Sequence, residues 1–338
     1  MSADTRPWRP WHAWPNAIVV SYVLLGWPAG VWLLTLPPLW AGALGVLLTA
    51  HTLVCSAYLL HDCTHNLVFP GARANDRLGA LLGWINGARV ASYPDIKRKH
   101  LRHHVDRLDV VTFDYRAVLM QSPVWLRRGV LALEWAYVPA VEVLMRVLVI
   151  STPFVYGTFR ERVTVTAVLT IRLAAFGALA LLSIRAVLLY ALSYLLFLHV
   201  LRFMDAFQHT YEIYVSRSPA PAPPDPRRNR QYEYENTFSN LLSERRPWLN
   251  LLVLNFPYHN AHHAQTGVPW YGLPALHRTL YGDPHTRTQV IAFRPLLANY
   301  HRYRVARVLA DDYGSVSRDE SRASGFIGAV GVSFLTAI

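Results

Sequence analysis

The chain has 338 residues, enough for one large domain or two ordinary ones. Hydrophobic residues make up 53% and charged residues only 16%, where soluble domains carry roughly 25% charged, and this argues against a soluble globular protein. The net charge of +12 comes from 31 Arg and 2 Lys; it fits the anionic cytoplasmic face of a bilayer first, an acidic partner second and nucleic acid last, because no basic stretch is separable from the apolar ones.

Residues 1–16 are rich in Trp and Pro and lack the basic, apolar, small order of a cleavable signal, so they read as a cytoplasmic N-terminus. Spanning a bilayer takes about 20 apolar residues. Residues 17–36 and 39–60 qualify, joined by an uncharged Pro37-Pro38 link. Arg6 and Arg9 precede the pair and Arg73 and Arg77 follow it, which places both ends in the cytoplasm. Leu78–Trp84 is too short to span and reads as interfacial or re-entrant. Residues 97–104, Lys-Arg-Lys-His-Leu-Arg-His-His, are the most basic piece. Leu119–Phe159 is apolar but carries Glu134, Glu142 and Arg146, with Trp125, Trp135 and Tyr137 suited to the headgroup zone; it reads as an amphipathic interfacial helix.

Residues 163–183 and 186–206 form a second apolar pair, and Arg172 within it must face protein or snorkel. Arg217–Arg230, with five prolines, reads as a polyproline-type insert. Trp248–Leu254 and the tail 325–338 are apolar but too short to span, and the tail is expected to dip at most into the interface. The expected fold is an all-α integral membrane protein. It has four transmembrane helices in two hairpins, interfacial helices and a cytoplasmic helical cap, with residues 17–324 as one membrane-integrated domain. Cys55 and Cys63 lie in one apolar stretch and are expected to pack, and a disulfide framework is excluded.

Histidines gather where these segments return to the cytoplasm. His61 and His65 end the second span at i, i+4; Asp205 and His209 end the fourth at the same spacing. His100, His103 and His104 lie in the basic piece, and His259, His262 and His263 follow the short apolar run. Positions i, i+3 and i+4 of one helical turn share a side, so each triplet is expected to present three imidazoles to one point. Neutral imidazole is the commonest side-chain metal ligand. Nine of them exceed the roughly four ligands of a structural zinc site, so two ions are expected, of zinc, copper, iron or nickel rather than magnesium or calcium. The Glu-X-X-His pairs of ferritin-like bundles and the His-Glu-X-X-His of zincin proteases are absent. Asp62, Asp106, Asp109, Asp114 and Asn260 are near enough to orient ligands. His51 and His199, ten residues before proposed ligands and so about 15 Å away along a helix, read as packing or tunnel residues. His12, His277, His285 and His301 read as solvated or structural. The bland alternatives are a lipid-headgroup patch for residues 97–104 and a helix-packing polar pair for Asp205 and His209.

At these residues the chain resembles the membrane fatty acid desaturase superfamily, which includes acyl-lipid desaturases, hydroxylases and carotenoid ketolases. His61-Asp62-Cys63-Thr64-His65 is similar to its first histidine box, His100–His104 to its second and His259–His263 to its third. The resemblance runs from about Leu60 to Leu280, taking in Asn75-Asp76-Arg77-Leu78-Gly79 and Val268-Pro269-Trp270-Tyr271. Thr64 departs from the glycine or alanine of many members, which bears on substrate detail rather than on the ligands. The resemblance implies two non-haem irons, an extra ligand in His209, and a polar contact from Asp205 to iron through water. It also implies O₂ as co-substrate and electrons from a separate carrier of ferredoxin or cytochrome b5 type, since no His-Pro-Gly-Gly haem motif is fused.

Removing hydrogen from an unactivated methylene needs a cofactor. The first expectation is therefore an acyl-chain desaturase in a membrane, facing the cytoplasm of a bacterial cell. The second is a hydroxylase or ketolase on a lipid, alkyl chain or carotenoid using the same site. The third is a non-enzymatic metal transporter or haem protein, which would place its ligands nearer the bilayer midplane.

Overall fold

The computed structural model describes residues 13–215, 223–283, 289–316, 323 and 325–337. Arg6, Arg9, His12, His285, Ile338 and residues 217–222 of the expected insert lie outside them. The described chain is predominantly helical.

α1 (Ala13–Thr35) and α2 (Leu39–Thr64) are the first two of four helices long and apolar enough to cross a bilayer. α2 continues past the expected residue 60 because His61 and Asp62, which composition alone would put outside an apolar helix, are buried and paired within the protein. Apolar faces gain little from meeting each other in lipid, so close packing must bind such helices. Gly30 provides it here: a Cβ would stand 2.6 Å from the Thr49 hydroxyl and 3.0 Å from the Thr49 amide nitrogen.

Next come α3 (Ala72–Asn86), which packs on α2, and α4 (Tyr93–Asp106). α4 is started by the Ser92 hydroxyl accepting from the Asp95 amide at 3.2 Å. β1 (Asp109–Val111) follows it. The expected single interfacial helix is three: α5 (Tyr115–Gln121), α6 (Val124–Trp135) and α7 (Ala140–Val155). Pro123 and Pro139 sit directly before the second and third, where proline's missing N–H and its effect on the preceding residue end one helix and allow another to start. Trp125, Trp135 and Tyr137 are exposed, as residues of a headgroup belt would be.

α8 (Phe159–Leu182) starts in a capping box between Thr158 and Glu161; α9 (Ile184–Ala206) follows after Ser183. Both begin earlier than expected, at 159 and 184 rather than 163 and 186. Outward leucines are bare, with Leu173 72% and Leu181 91% exposed. A soluble protein does not leave such a belt open to water, whereas lipid is its natural solvent; this is a membrane protein. Arg172 resolves its cost inside the protein, donating to the Trp84 carbonyl at 2.8 Å and stacking over that indole. Arg185 donates to the carbonyls of Leu36 and Pro37 at 2.9 and 2.8 Å. The α1–α2 and α8–α9 connections therefore meet at one end of the bundle, and the histidine-bearing ends of α2 and α9 lie at the other. Nearer that end Arg202 of α9 is buried against Glu134 of α6 at 2.5 Å and Glu142 of α7 at 3.5 Å. Glu142 thus pairs across helices, while Arg146, its i+4 neighbour, donates to the Glu142 carbonyl.

The remaining elements wrap the histidine end: β2 (Ile213–Val215), α10 (Arg230–Glu235), a 3₁₀ segment at Pro247–Val253, α11 (His259–Ala264), α12 (Leu273–Tyr281), α13 (Phe293–Arg302), α14 (Ala306–Leu309), β3 (Gly314–Ser315) and β4 (Gly325–Phe326). Two strand pairs were not expected of an all-α chain. β1 and β2 run parallel with Asp109 opposite Ile213, and β3 pairs antiparallel with β4. Both are too short for a sequence period to show. The apolar tail also departs from expectation: Gly328–Ala337 is buried throughout except for half-buried Val332, inside the protein rather than in the interface.

Candidate metal centre

The nine histidines come from four elements and converge at one end of the bundle. α2 ends with His61 in its last turn and His65 at its C-cap. α4 carries His100, His103 and His104, and α11 carries His259, His262 and His263. His209 lies three residues beyond α9, in an extended stretch paired with Thr237. The helical i, i+4 relation expected between Asp205 and His209 is therefore absent, because α9 stops at Ala206. Both residues still line one small cavity of about 50 Å³, with His100, His103 and His259. That volume has room for water, which needs roughly 10–15 Å³ per molecule on such a measure.

The imidazoles form two groups, each with ligand atoms within 4.8 Å of one another: His61, His65, His100, His104 and His262, and His103, His209, His259 and His263. Neither triplet points to one place, contrary to expectation. At about 100° per residue, i and i+4 differ by about 40° around the axis, whereas i+3 and i+4 differ by about 100°. The pairs 61/65, 100/104 and 259/263 accordingly stay together, while His103 and His262 cross to the other group. α4 and α11 each serve both groups.

The geometry fits metal ions. In the first group the Nε2 atoms of His65 and His100 are 2.8 Å apart, those of His100 and His104 3.1 Å, and those of His104 and His262 3.1 Å. In the second, Nε2 of His209 lies 3.1 Å from that of His103 and 2.7 Å from that of His259. Ligands at right angles on an ion with metal–nitrogen bonds of about 2.1 Å would be separated by about 3.0 Å. Nε2 of His61 and of His263 is buried without a hydrogen-bond partner among the described residues, as a nitrogen reserved for a metal would be. A donor set of nine imidazoles suits iron, zinc, copper or nickel rather than hard oxygen-seeking cations.

The second ring nitrogens fix the rings. His103 Nδ1–H donates to the Leu108 carbonyl at 2.7 Å, and His61 Nδ1 meets the Asp62 carboxylate at 3.2 Å. His263 Nδ1 meets Glu233 at 3.2 Å, and Glu233 is also held by Arg107 at 2.9 Å. Such contacts select the tautomer that leaves Nε2 free. Burial, reinforced by neighbouring imidazoles, holds His65, His100, His104, His209, His259, His262 and His263 well below the usual histidine range. Burial brings His103 down to about 4, opposed by its bond to Leu108. These eight rings are neutral at physiological pH, the form that binds metal.

Of the residues expected to orient ligands, Asp62 also accepts from the Trp270 amide at 3.1 Å, tying the first box to the loop after the third. Asp109 lies 3.6 Å from His103 Nδ1 and accepts from the Tyr313 hydroxyl; burial pushes its carboxyl up to about 7. Asn260 docks the third box on Ser239 and the Thr237 carbonyl, and its hydrogen bonds among the described residues go to no histidine ring. Asp106 instead pairs with Arg102, and Asp114 caps α5 at Ala117. Glu233 and the Leu108 carbonyl were not legible: one lies 30 residues before its partner with no motif, and a backbone carbonyl has no sequence signature. His51 is engaged by the Tyr22 hydroxyl at 2.5 Å and the Leu252 carbonyl at 3.1 Å, and His199 by Tyr300 and the Tyr137 carbonyl, so both pack as expected. His277 is buried between Tyr258 and Tyr281, and Cys55 and Cys63 are buried free thiols.

No curated individual protein matches the chain. A family model of fatty acid desaturases matches residues 37–295, most of the chain and every histidine of both groups. Two imidazole groups at the ends of apolar helices and a match of that extent lead to one conclusion: the chain belongs to the fatty acid desaturase family.

Proposed function

We propose that the protein is an O₂-dependent desaturase that introduces a double bond into a lipid-linked acyl chain. The observation that carries this reading is the pair of imidazole groups, five and four, at the end of a lipid-facing bundle beside an apolar cleft of about 450 Å³. His61, His65, His100, His104 and His262 would hold one iron; His103, His209, His259 and His263 the other, with Asp205 reaching it through water. The irons, when bound, supply the oxidant for an unactivated C–H bond, which no side chain can provide.

The chain's own residues do the rest. Asp62, Glu233 and the Leu108 carbonyl keep the His61, His263 and His103 rings oriented and hold the ring proton on Nδ1, so that Nε2 toward the centre is free of it. The buried aromatic rings of Phe256 and Phe334 stand 5.1 and 5.9 Å from His61 and give the first group an apolar wall. The cleft between α7, α8 and α9 offers an apolar path from the bilayer.

The membrane orientation we favour puts the histidine end in the cytoplasm, since Arg73, Arg77 and the basic run of α4 lie there. Two hairpins with a helical cap are consistent with the meeting of the two connections at Arg185. Electrons would come from a separate acidic carrier, a ferredoxin or a cytochrome b5, docking at the basic face around exposed Arg98. Reversal of Arg98 to Glu should slow reduction by such a carrier, and unchanged reduction would remove that assignment.

The decisive experiment is expression in a host of known lipid composition, with mass spectrometry that localises double bonds and His262→Ala as control. A new double bond absent from the control is expected. A hydroxylated or ketonic product without one would make the protein an oxygenase on the same scaffold. Metal analysis that finds zinc or haem without iron would overturn the oxidative reading altogether.

A further inference from the structure

Two spaces lie on either side of one short segment. The apolar cleft is lined by Val149, Phe176, Tyr190 and Tyr194, and closed by Leu335 and Thr336. The small cavity at the histidines is closed by Val332 and Phe334. Neighbouring residues of the same stretch therefore wall both the route from the lipid and the centre itself. Phe334 is 8% exposed, with its ring centroid 5.7 Å from that of His100 and 5.9 Å from that of His61. A carbon that is to react must approach its partner atom to about 3–3.5 Å. With the segment as it stands, Phe334 occupies that approach.

The segment's Phe334 and Leu335 side chains belong to the main core, while its backbone has no regular structure and is fastened by side chains from elsewhere in the chain. No helix or strand includes Ile327–Ala337. Its carbonyls are held by a buried lysine: Lys99 Nζ donates to the Ser333 carbonyl at 2.9 Å and to the Thr336 carbonyl at 2.6 Å, and Thr112 donates to the latter at 2.7 Å. At its other end Gly331, at φ +71°, donates its amide to Glu142 at 3.3 Å. A left-handed glycine beside an irregular stretch is a place where the backbone can turn without steric cost. A few exchangeable hydrogen bonds to backbone carbonyls can break and reform together.

The geometry points to Phe334 and Leu335 as the specificity-determining partition of this enzyme, and to Ser333–Thr336 as the element that shifts to let an acyl chain pass from the cleft to the histidines. It rests on the reading of the protein as an acyl-chain oxidant. If the open arrangement is populated at about 10% or less, as minor states commonly are, apparent access is reduced by that fraction. Removing the partition then raises access about tenfold or more.

The test uses the full-length, metal-loaded protein and a long-chain fatty acid carrying a mid-chain diazirine, photolysed in detergent and read by peptide mass spectrometry. The wild type should be labelled mainly along the cleft, on peptides containing Val149, Phe176 or Leu335. Phe334→Ala with Leu335→Ala should add labelling at Phe256, beside the histidines, by about tenfold or more, while Leu335→Trp should reduce labelling at Val332. Metal content and melting temperature establish that each variant is folded; should the double variant fail this, the Leu335→Trp result stands alone. Strong labelling of Phe256 in the wild type, or patterns that do not change among the variants, would overturn the proposal. Because labelling needs no turnover, it separates this proposal from the functional one: a chain that labels as expected but forms no double bond refutes the desaturase reading alone.

Discussion

Glu233→Ala tests how the second imidazole group is held. Glu233 is buried, lies 3.2 Å from Nδ1 of His263 and touches no histidine of the first group among the described contacts. Deleting the carboxylate frees the His263 ring to rotate and removes the acceptor that keeps its proton on Nδ1. Loss of such a partner lowers metal affinity by about 10- to 100-fold. At about 1.4 kcal/mol per decade, that is about 1.4–2.8 kcal/mol, confined to one of two ions. Arg107 also loses its 2.9 Å partner, but it is a partly exposed residue that water can serve. Glu233→Gln keeps an acceptor oxygen without the charge and should fall between. The assay is metal stoichiometry by elemental analysis together with chelator titration of purified protein: the variant should release one equivalent at 10- to 100-fold lower chelator and retain the other as in the wild type. Simultaneous release of both equivalents, or a titration matching the wild type, would refute the division into two separately supported groups.

Three further outcomes are expected. Arg202→Met leaves Glu134 and Glu142 buried without their cation, which should destabilise the protein by about 3–5 kcal/mol; a melting temperature in detergent close to the wild type would contradict that pairing. Gly30→Leu drives a side chain into Thr49 and should cost about 1–3 kcal/mol through separation of α1 from α2, read as a lower melting temperature. In metal-stripped protein the lowered histidine pKa values contribute stability that is present above the unfolded value of about 6.5 and lost as pH falls from there toward about 4, because the unfolded chain takes up protons that the buried rings resist. The melting temperature of the stripped protein should therefore fall as pH is lowered through this window, and a flat or rising profile would count against neutral buried imidazoles.

The sequence by itself determined the solvent, the number of spanning helices and the identity of the clustered residues. Four apolar runs of spanning length need no tertiary information, because each run alone meets the bilayer's length requirement. The i, i+4 spacing of His61 and His65 is likewise local geometry and survives folding. The helix breaks at Pro123 and Pro139 are equally local, because proline ends a helix through its own missing N–H and its clash with the residue before it. What only the tertiary structure decided is how elements far apart in the chain share space. The split of five and four arises because α4 and α11 lie between the groups, so that the angle separating His103 from His104, and His262 from His263, sends them opposite ways. Glu233 and the Leu108 carbonyl reached their histidines through chain crossings that carry no spacing rule. The burial of Gly328–Ala337 was hidden for the same reason: an apolar stretch too short to span reads alike whether it lies in lipid or in a protein interior, and its place is set by Lys99 and Glu142, residues 234 and 189 positions from the backbone groups they hydrogen-bond.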